Sequence, residues 1–222
     1  LKEIVALKQK YTFRILMDDA HGFGYMGPTG AGADEAQGCQ QQIDLYFSTF
    51  VKSMGSIGAF ISGPKAVLKY LRYNTRSQIF AKSLPLLIVE GMLKRMEMVV
   101  TMPELREKLW SNVERLQTGL KEKGFDIGHT NSPVTPIYMK GDVPEATQMV
   151  MDLRENFGIF CSIVVYPVIP KGDIIYRLIP TASHSFEEID ITLKAFEETK
   201  KKLDAGKYKA ADIPDMAEVG AL

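Results

Sequence analysis

Three short apolar runs shape the first part of the chain: Phe13-Arg14-Ile15-Leu16-Met17, Leu45-Tyr46-Phe47-Ser48-Thr49-Phe50 and Gly58-Ala59-Phe60-Ile61-Ser62. Each has the length of a strand and runs into polar or glycine-bearing loop chemistry. Around them lie helical patterns at residues 1–11 and 65–72, and a glycine-rich connection from Gly22 to Gly38. Strands alternating with helices predict an α/β fold with a mostly parallel sheet. Such sheets carry ligand chemistry at the carboxyl ends of their strands.

The pattern changes at Leu84. Residues 84–101 read as one helix, and Pro103 opens a second that Gly124 stops. Strands are expected at 133–139, 159–165 and 174–179, with a helix from Pro144 to Phe157 closed by Gly158. Ser185 with Glu188 forms a capping-box pattern for a last helix ending at Leu203. This second part is α+β. The expected divisions are residues 1–100, 101–203 and a loose tail over 204–222.

Composition narrows the function classes. The chain has 222 residues, with 27 basic and 27 acidic side chains and no net charge. That balance argues against nucleic-acid binding by bulk electrostatics. An apolar share of 45% argues against disorder. Two cysteines are too few for a disulfide framework and fit a reducing, cytoplasmic protein. The most apolar run, Leu84 to Leu93, contains Pro85 and Glu90 and falls short of the ~20 residues of a membrane span. Residue 1 is Leu and already lies in a helical pattern, as expected for a piece of a longer protein.

Three segments can carry chemistry. Asp18-Asp19-Ala20-His21-Gly22 puts a carboxylate and a histidine at a strand end. The segment can serve a ligand or be a solvated turn. Lys52 lies just past the second strand among Ser48, Thr49, Ser53, Gly55 and Ser56. Hydroxyls and amides of this kind cradle phosphate, and a lysine can form a Schiff base. An ordinary surface loop has the same composition. A Walker-type phosphate loop is excluded, because its spacing does not occur here. Arg177 stands inside an apolar run, where a guanidinium is costly unless a carboxylate pairs it, from a ligand or from within the protein. No metal is expected: His21, His129 and His184 are scattered, and no Cys-x-x-Cys or His-Glu-x-x-His occurs. Cys161 reads as a small core residue, and the helical stripe of Leu105, Leu109, Val113 and Leu116 reads as core.

Taken together, Asp-Asp-Ala-His-Gly, then Thr-Phe-x-Lys-Ser-x-Gly-Ser-x-Gly, resembles the α-oxoamine synthases, pyridoxal-phosphate (PLP) enzymes of fold type I. Lys52 follows Asp18 by 34 residues, a separation similar to the family's. Gly27, Gly30 and Gly32 match its glycine-rich loop. Residues 79–85 and the segment from Arg177 to His184 resemble its Phe-Ser and closing motifs. The similarity runs to about Leu203.

The resemblance implies that residues 1–100 are the C-terminal part of the PLP-binding large domain and 101–203 the whole small domain. It implies PLP as cofactor, an amino acid and an acyl-CoA as substrates, and a homodimer. Lys52 is implied as the lysine that bonds the cofactor and moves the substrate proton. Asp18 is implied on the pyridine nitrogen, and His21 on the phenolic oxygen. Ser48 and Thr49 are expected at the cofactor, with Thr49 on its phosphate, and Arg177 at the substrate carboxylate. Val51 stands where the family has a small residue, Ala59 where it has glycine, and Ala81 where it has a hydroxyl. Lys82 is the nearby alternative for the phosphate. The implied activity belongs to the full-length enzyme, with this portion alone inactive. The alternatives are an inactive relative serving as a dimer partner and, less well matched, an aminotransferase.

Overall fold

The computed structural model describes residues 1–139 and 141–209. The chain forms two compact units, one from Leu1 to Arg106 and one from Glu107 onward.

The first unit opens with helix α1 (Lys2–Ala6) and a single 3-10 turn over Leu7–Gln9, in place of one continuous helix through residue 11. Strand β1 (Leu16–Asp18) pairs in parallel with β2 (Leu45–Thr49), Asp18 lying opposite Phe47. Their connection carries the short helix α2 (Ala33–Ala36). Strand β3 (Ala59–Ser62) runs antiparallel to β2, with Thr49 opposite Ala59. The connection over residues 50–58 dictates this direction, since a parallel return needs a crossover of a dozen residues or more. The residues around Lys52 therefore form a hairpin loop. Helices α3 (Lys65–Asn74), α4 (Arg76–Ile79) and α5 (Leu86–Thr101) complete the unit.

The core of this unit is small and aromatic. Phe23, Met54 and Met92 are buried, with Tyr46, Phe50, Phe60, Ile88 and Val99 packed on them. Phe60 is the hub. It meets Phe23 edge-on at 5.0 Å and stacks with Phe50 at 5.5 Å.

The second unit builds an antiparallel sheet from β4 (Thr135–Met139), β5 (Ser162–Val164) and β6 (Ile174–Leu178), with β6 central. Helices α6 (Pro103–Glu122, which begins in the first unit), α7 (Val143–Phe157) and α8 (Phe186–Asp204) supply the remaining core. Strand β6 alternates strictly, with Ile174, Tyr176 and Leu178 buried and Ile175 and Arg177 on the other face. Tyr176, Phe196, Leu120, Ile137, Met149 and Leu153 are fully enclosed. In the stripe along α6, Val113 and Leu116 are buried while Leu105 is 40% exposed.

Local chemistry sets the helix ends. The Asp142 carboxylate accepts the Glu145 amide at the start of α7, and Gly158 ends it with φ 68°. Ser185 and Glu188 form the reciprocal capping box of α8. Beyond α8 the chain turns back, and Tyr208 is buried with its hydroxyl on Asp152. The rest of the tail expected from residue 204 onward lies outside the described residues.

Candidate functional site

Asp18 ends β1 with an exposed side chain, and its Oδ1 accepts the Ala20 amide at 3.0 Å. The chain then turns tightly, because the amides of Gly22 and Phe23 both donate to the Asp19 carbonyl, at 3.0 and 3.1 Å. This turn presents His21 at the surface and drives Phe23 into the core. The Tyr25 hydroxyl donates to the His21 carbonyl and holds the far side of the turn. Burial, with the Asp19 carboxylate nearby, pushes the Tyr25 phenol up to about 12.

Lys52 sits on the exposed part of the β2–β3 hairpin, with no hydrogen-bond or ion-pair partner for its amine among the described residues. Its loop is held by backbone bonds from Phe50 to Gly58 at 2.9 Å and from Ser56 to Phe50 at 2.9 Å. Met54, two residues on, is buried beside Phe23 in the same core. The histidine turn and the lysine loop are thus pinned by side chains that share one cluster. They also touch directly. A Cβ on Gly24, where φ is +95°, would lie 2.6 Å from Ser53 Oγ, so only glycine permits this approach.

The two hydroxyls before Lys52 differ. Ser48 is fully buried and its Oγ donates to the Asp19 carbonyl at 3.3 Å, so its one hydrogen is used inside the unit. Thr49 Oγ1 is buried with no partner. An orphaned hydroxyl costs roughly 1–3 kcal/mol, and such a group fits a site whose missing partner is a ligand. Val51, Ala59 and Ala81 are all exposed, and none adopts a positive φ.

In the second unit, Arg177 lies on the face of β6 away from the core. The alternation of the strand therefore removes the burial cost expected for it. Its Nε donates to Ser162 Oγ at 3.3 Å, and no carboxylate pairs with it among the described residues. The internal salt bridge is thus absent there, and the guanidinium keeps donors for an anion. The residues after β6 form a tight polar turn. The Thr181 amide donates to His184 Nδ1 at 3.0 Å, which makes Nδ1 an acceptor and leaves Nε2 to carry the ring hydrogen. Asn112 on α6 is fully buried and spans this turn, donating to the carbonyls of Thr181 and His184 at 2.9 Å each. His129 is exposed, both cysteines are free and buried, and the described residues hold no metal-ligating cluster.

Sequence reasoning passed over two of the most heavily bonded residues. Asp19 is 5% exposed, and its Oδ2 accepts from the Tyr46 hydroxyl at 2.7 Å and the Ala33 amide at 2.9 Å. Asn112 is the other. A pair of aspartates at a strand end does signal that one faces inward, but it does not say which. A lone asparagine beside Val113 on a buried helix stripe is a weaker signal still.

The sequence profile described as aminotransferase class I and II matches residues 1–196. A cysteate-C-fatty acyltransferase from Capnocytophaga ochracea is 62% identical over 99% of this chain and 52% of its own length. An 8-amino-7-oxononanoate synthase from Petrotoga mobilis is 36% identical over 91% of this chain and 51% of its own length. A solved serine palmitoyltransferase with its PLP internal aldimine superposes with a TM-score of 0.86 at 32% identity, covering 91% of this chain and 51% of that one. The chain spans about half the length of the curated relatives it matches. No helix among the described residues is long and apolar enough to cross a membrane.

Proposed function

The chain belongs to the class I and II aminotransferase family, in the company of α-oxoamine synthases, and from that premise we propose that it is the C-terminal half of a PLP-dependent acyltransferase joining an amino acid to an acyl-CoA. The identity of 62% favours cysteate as the amino acid and a fatty acyl group as the donor, ahead of serine or alanine. The observation that carries the reading is the pairing, within one hairpin, of an unpartnered exposed lysine and an orphaned buried hydroxyl, Lys52 and Thr49.

These residues suit the cofactor. Lys52 Nζ is the amine that holds it covalently and then, once freed, takes and returns the proton on the substrate α-carbon. Thr49 Oγ1 donates to its phosphate, which satisfies the orphan. The Asp18 carboxylate holds a proton on the ring nitrogen, and His21 donates to the phenolic oxygen. When bound, PLP supplies the electron sink for charge that develops at the α-carbon. Arg177 takes the substrate carboxylate with a bidentate-capable guanidinium. The protein works as a homodimer in the cytoplasm. Support comes from Phe80, Leu86 and Leu87, each at least 70% exposed, and from two thiols left free.

The deciding experiment uses the full-length protein that carries this chain. Wild type titrated with PLP should develop a visible absorbance band that Lys52→Ala abolishes. It should also release CoA from palmitoyl-CoA faster with cysteate than with serine, alanine or glycine. A protein that gives no Lys52-dependent band is an inactive relative, and the catalytic reading then falls.

A further inference from the structure

The carboxylate of Asp19 touches no surface that a substrate could reach, yet the segment between β1 and α2 is organised around it. Its amide donates to Phe47 at 2.9 Å, while its carbonyl accepts Gly22, Phe23 and Ser48 Oγ. Its carboxylate accepts Tyr46 from β2 and Ala33 from the start of α2. Two glycines wall the slot. A Cβ on Gly22 would lie 2.2 Å from Oδ1, and one on Gly32 would lie 2.1 Å from Oδ2. The Tyr46 hydroxyl also lies 3.0 Å from the Ala31 carbonyl, so the pair closes the glycine-rich loop onto the sheet.

An ordinary packing role would not place a carboxylate here. Burial opposes its charge most strongly, and Asp34 and Asp18 oppose it further. The bonds from Tyr46 and Ala33 recover only part, so its pKa stays raised. The acidic groups Asp18 and Asp34 face it, with the Tyr46 and Tyr25 phenols beside them. What this costly group does achieve is geometric. It ties the residue on its N-terminal side, Asp18, and the turn on its C-terminal side, which presents His21, to one rigid point on β2.

We infer that Asp19, held by Tyr46, is a positioning residue that sets Asp18 and His21 in register for the cofactor. The inference rests on the function proposed above. Neither side chain touches the cofactor, and both act through the turn they hold.

The test uses the full-length protein with Tyr46→Phe and Asp19→Asn, titrated with PLP, with apo thermal stability measured alongside. Tyr46→Phe keeps the ring that stacks on Phe60 and removes only the hydroxyl. Both variants should weaken PLP binding by about tenfold or more. Both should also move the pH midpoint of the Lys52-dependent band by about half a unit or more. Tyr208→Phe is the control, since it removes a comparable hydroxyl–aspartate bond in the second unit. It should lower the melting temperature and leave the midpoint alone. A wild-type band indifferent to Tyr46→Phe, or variants that lose only melting temperature, overturns the inference and leaves the functional reading standing. Should Asp19→Asn fail to fold, Tyr46→Phe decides. A wild type without a band overturns the functional reading and this inference with it.

Discussion

Asn112→Ala tests whether the turn after Arg177 is built as described. Asn112 is fully buried, and its two amide hydrogens go to the carbonyls of Thr181 and His184. The first carbonyl keeps the turn bond from the His184 amide at 3.3 Å, while the second loses its donor. Two net hydrogen bonds amount to about 1–3 kcal/mol. The orphaned His184 carbonyl adds roughly 1–3 kcal/mol. Against this, Asn112 Oδ1 is itself buried and unpartnered in the native protein, so truncation relieves a penalty of the same size. The balance is a destabilisation of about 1–3 kcal/mol. Asn112→Asp makes a sharper contrast, because it turns an acceptor toward two carbonyls and buries a carboxyl. It should cost more than the alanine variant, by at least about 2 kcal/mol. Trp110 is the single tryptophan of the chain and lies two residues before the mutation on the same helix. Denaturant unfolding followed by its fluorescence therefore reports on this unit. An alanine variant as stable as wild type, or an aspartate variant no worse than alanine, would falsify the hydrogen-bond account of the turn.

Two further outcomes test the second unit. Burial raises the Asp152 carboxyl, but the Lys202 ammonium, the Tyr208 hydroxyl and the Asn156 amide outweigh it and hold the group below the usual carboxylate range. Its contribution to stability is thus complete above the unfolded pKa of about 3.9 and fades as pH falls through the lower folded value. Asp152→Asn should flatten the acid limb of a melting-temperature profile, and superimposable limbs for variant and wild type would refute this. Burial also pushes the Cys161 thiol up to about 11. A mass-resolved alkylation at pH 8 should leave Cys161 unmodified until denaturant is added, and rapid labelling of the native protein would contradict the packing.

The second unit was the more legible half, and the reason is local. Asp142, Gly158, Ser185 and Glu188 act within a turn of the helix ends they define, so spacing alone announces them. The five residues of β6 likewise show their two faces in alternation. On that pattern Arg177 belongs outside the core, although its apolar neighbours suggested a buried charge. The first unit hid more. Nothing in the apolar run of β3 says which way it pairs, and the direction follows only from the length of the loop before it. That loop is too short for a crossover, so the mostly parallel expectation holds for β1–β2 and gives way at β2–β3.

The same contrast explains what could be read of the site. Lys52, Asp18 and His21 stand out because exposed chemistry at strand ends is recognisable as a type, and resemblance supplies their roles. Ser48 and Thr49 are adjacent hydroxyls with equal standing in the sequence. The strand turns one inward to the Asp19 carbonyl and leaves the other unpartnered, so only the fold separates a structural serine from a candidate ligand. Asp18 and Asp19 divide in the same way, one exposed at the strand end and one sealed behind two glycines. Successive residues of an extended chain face opposite sides, and at the end of β1 this leaves Asp18 outward and Asp19, the next residue, inward. The outward copy can meet a ligand. The inward copy can act on chemistry only by holding its neighbour still, and for that it must find a partner far away in sequence. For Asp19 that partner is Tyr46, on the strand that ends in Thr49, three residues short of Lys52.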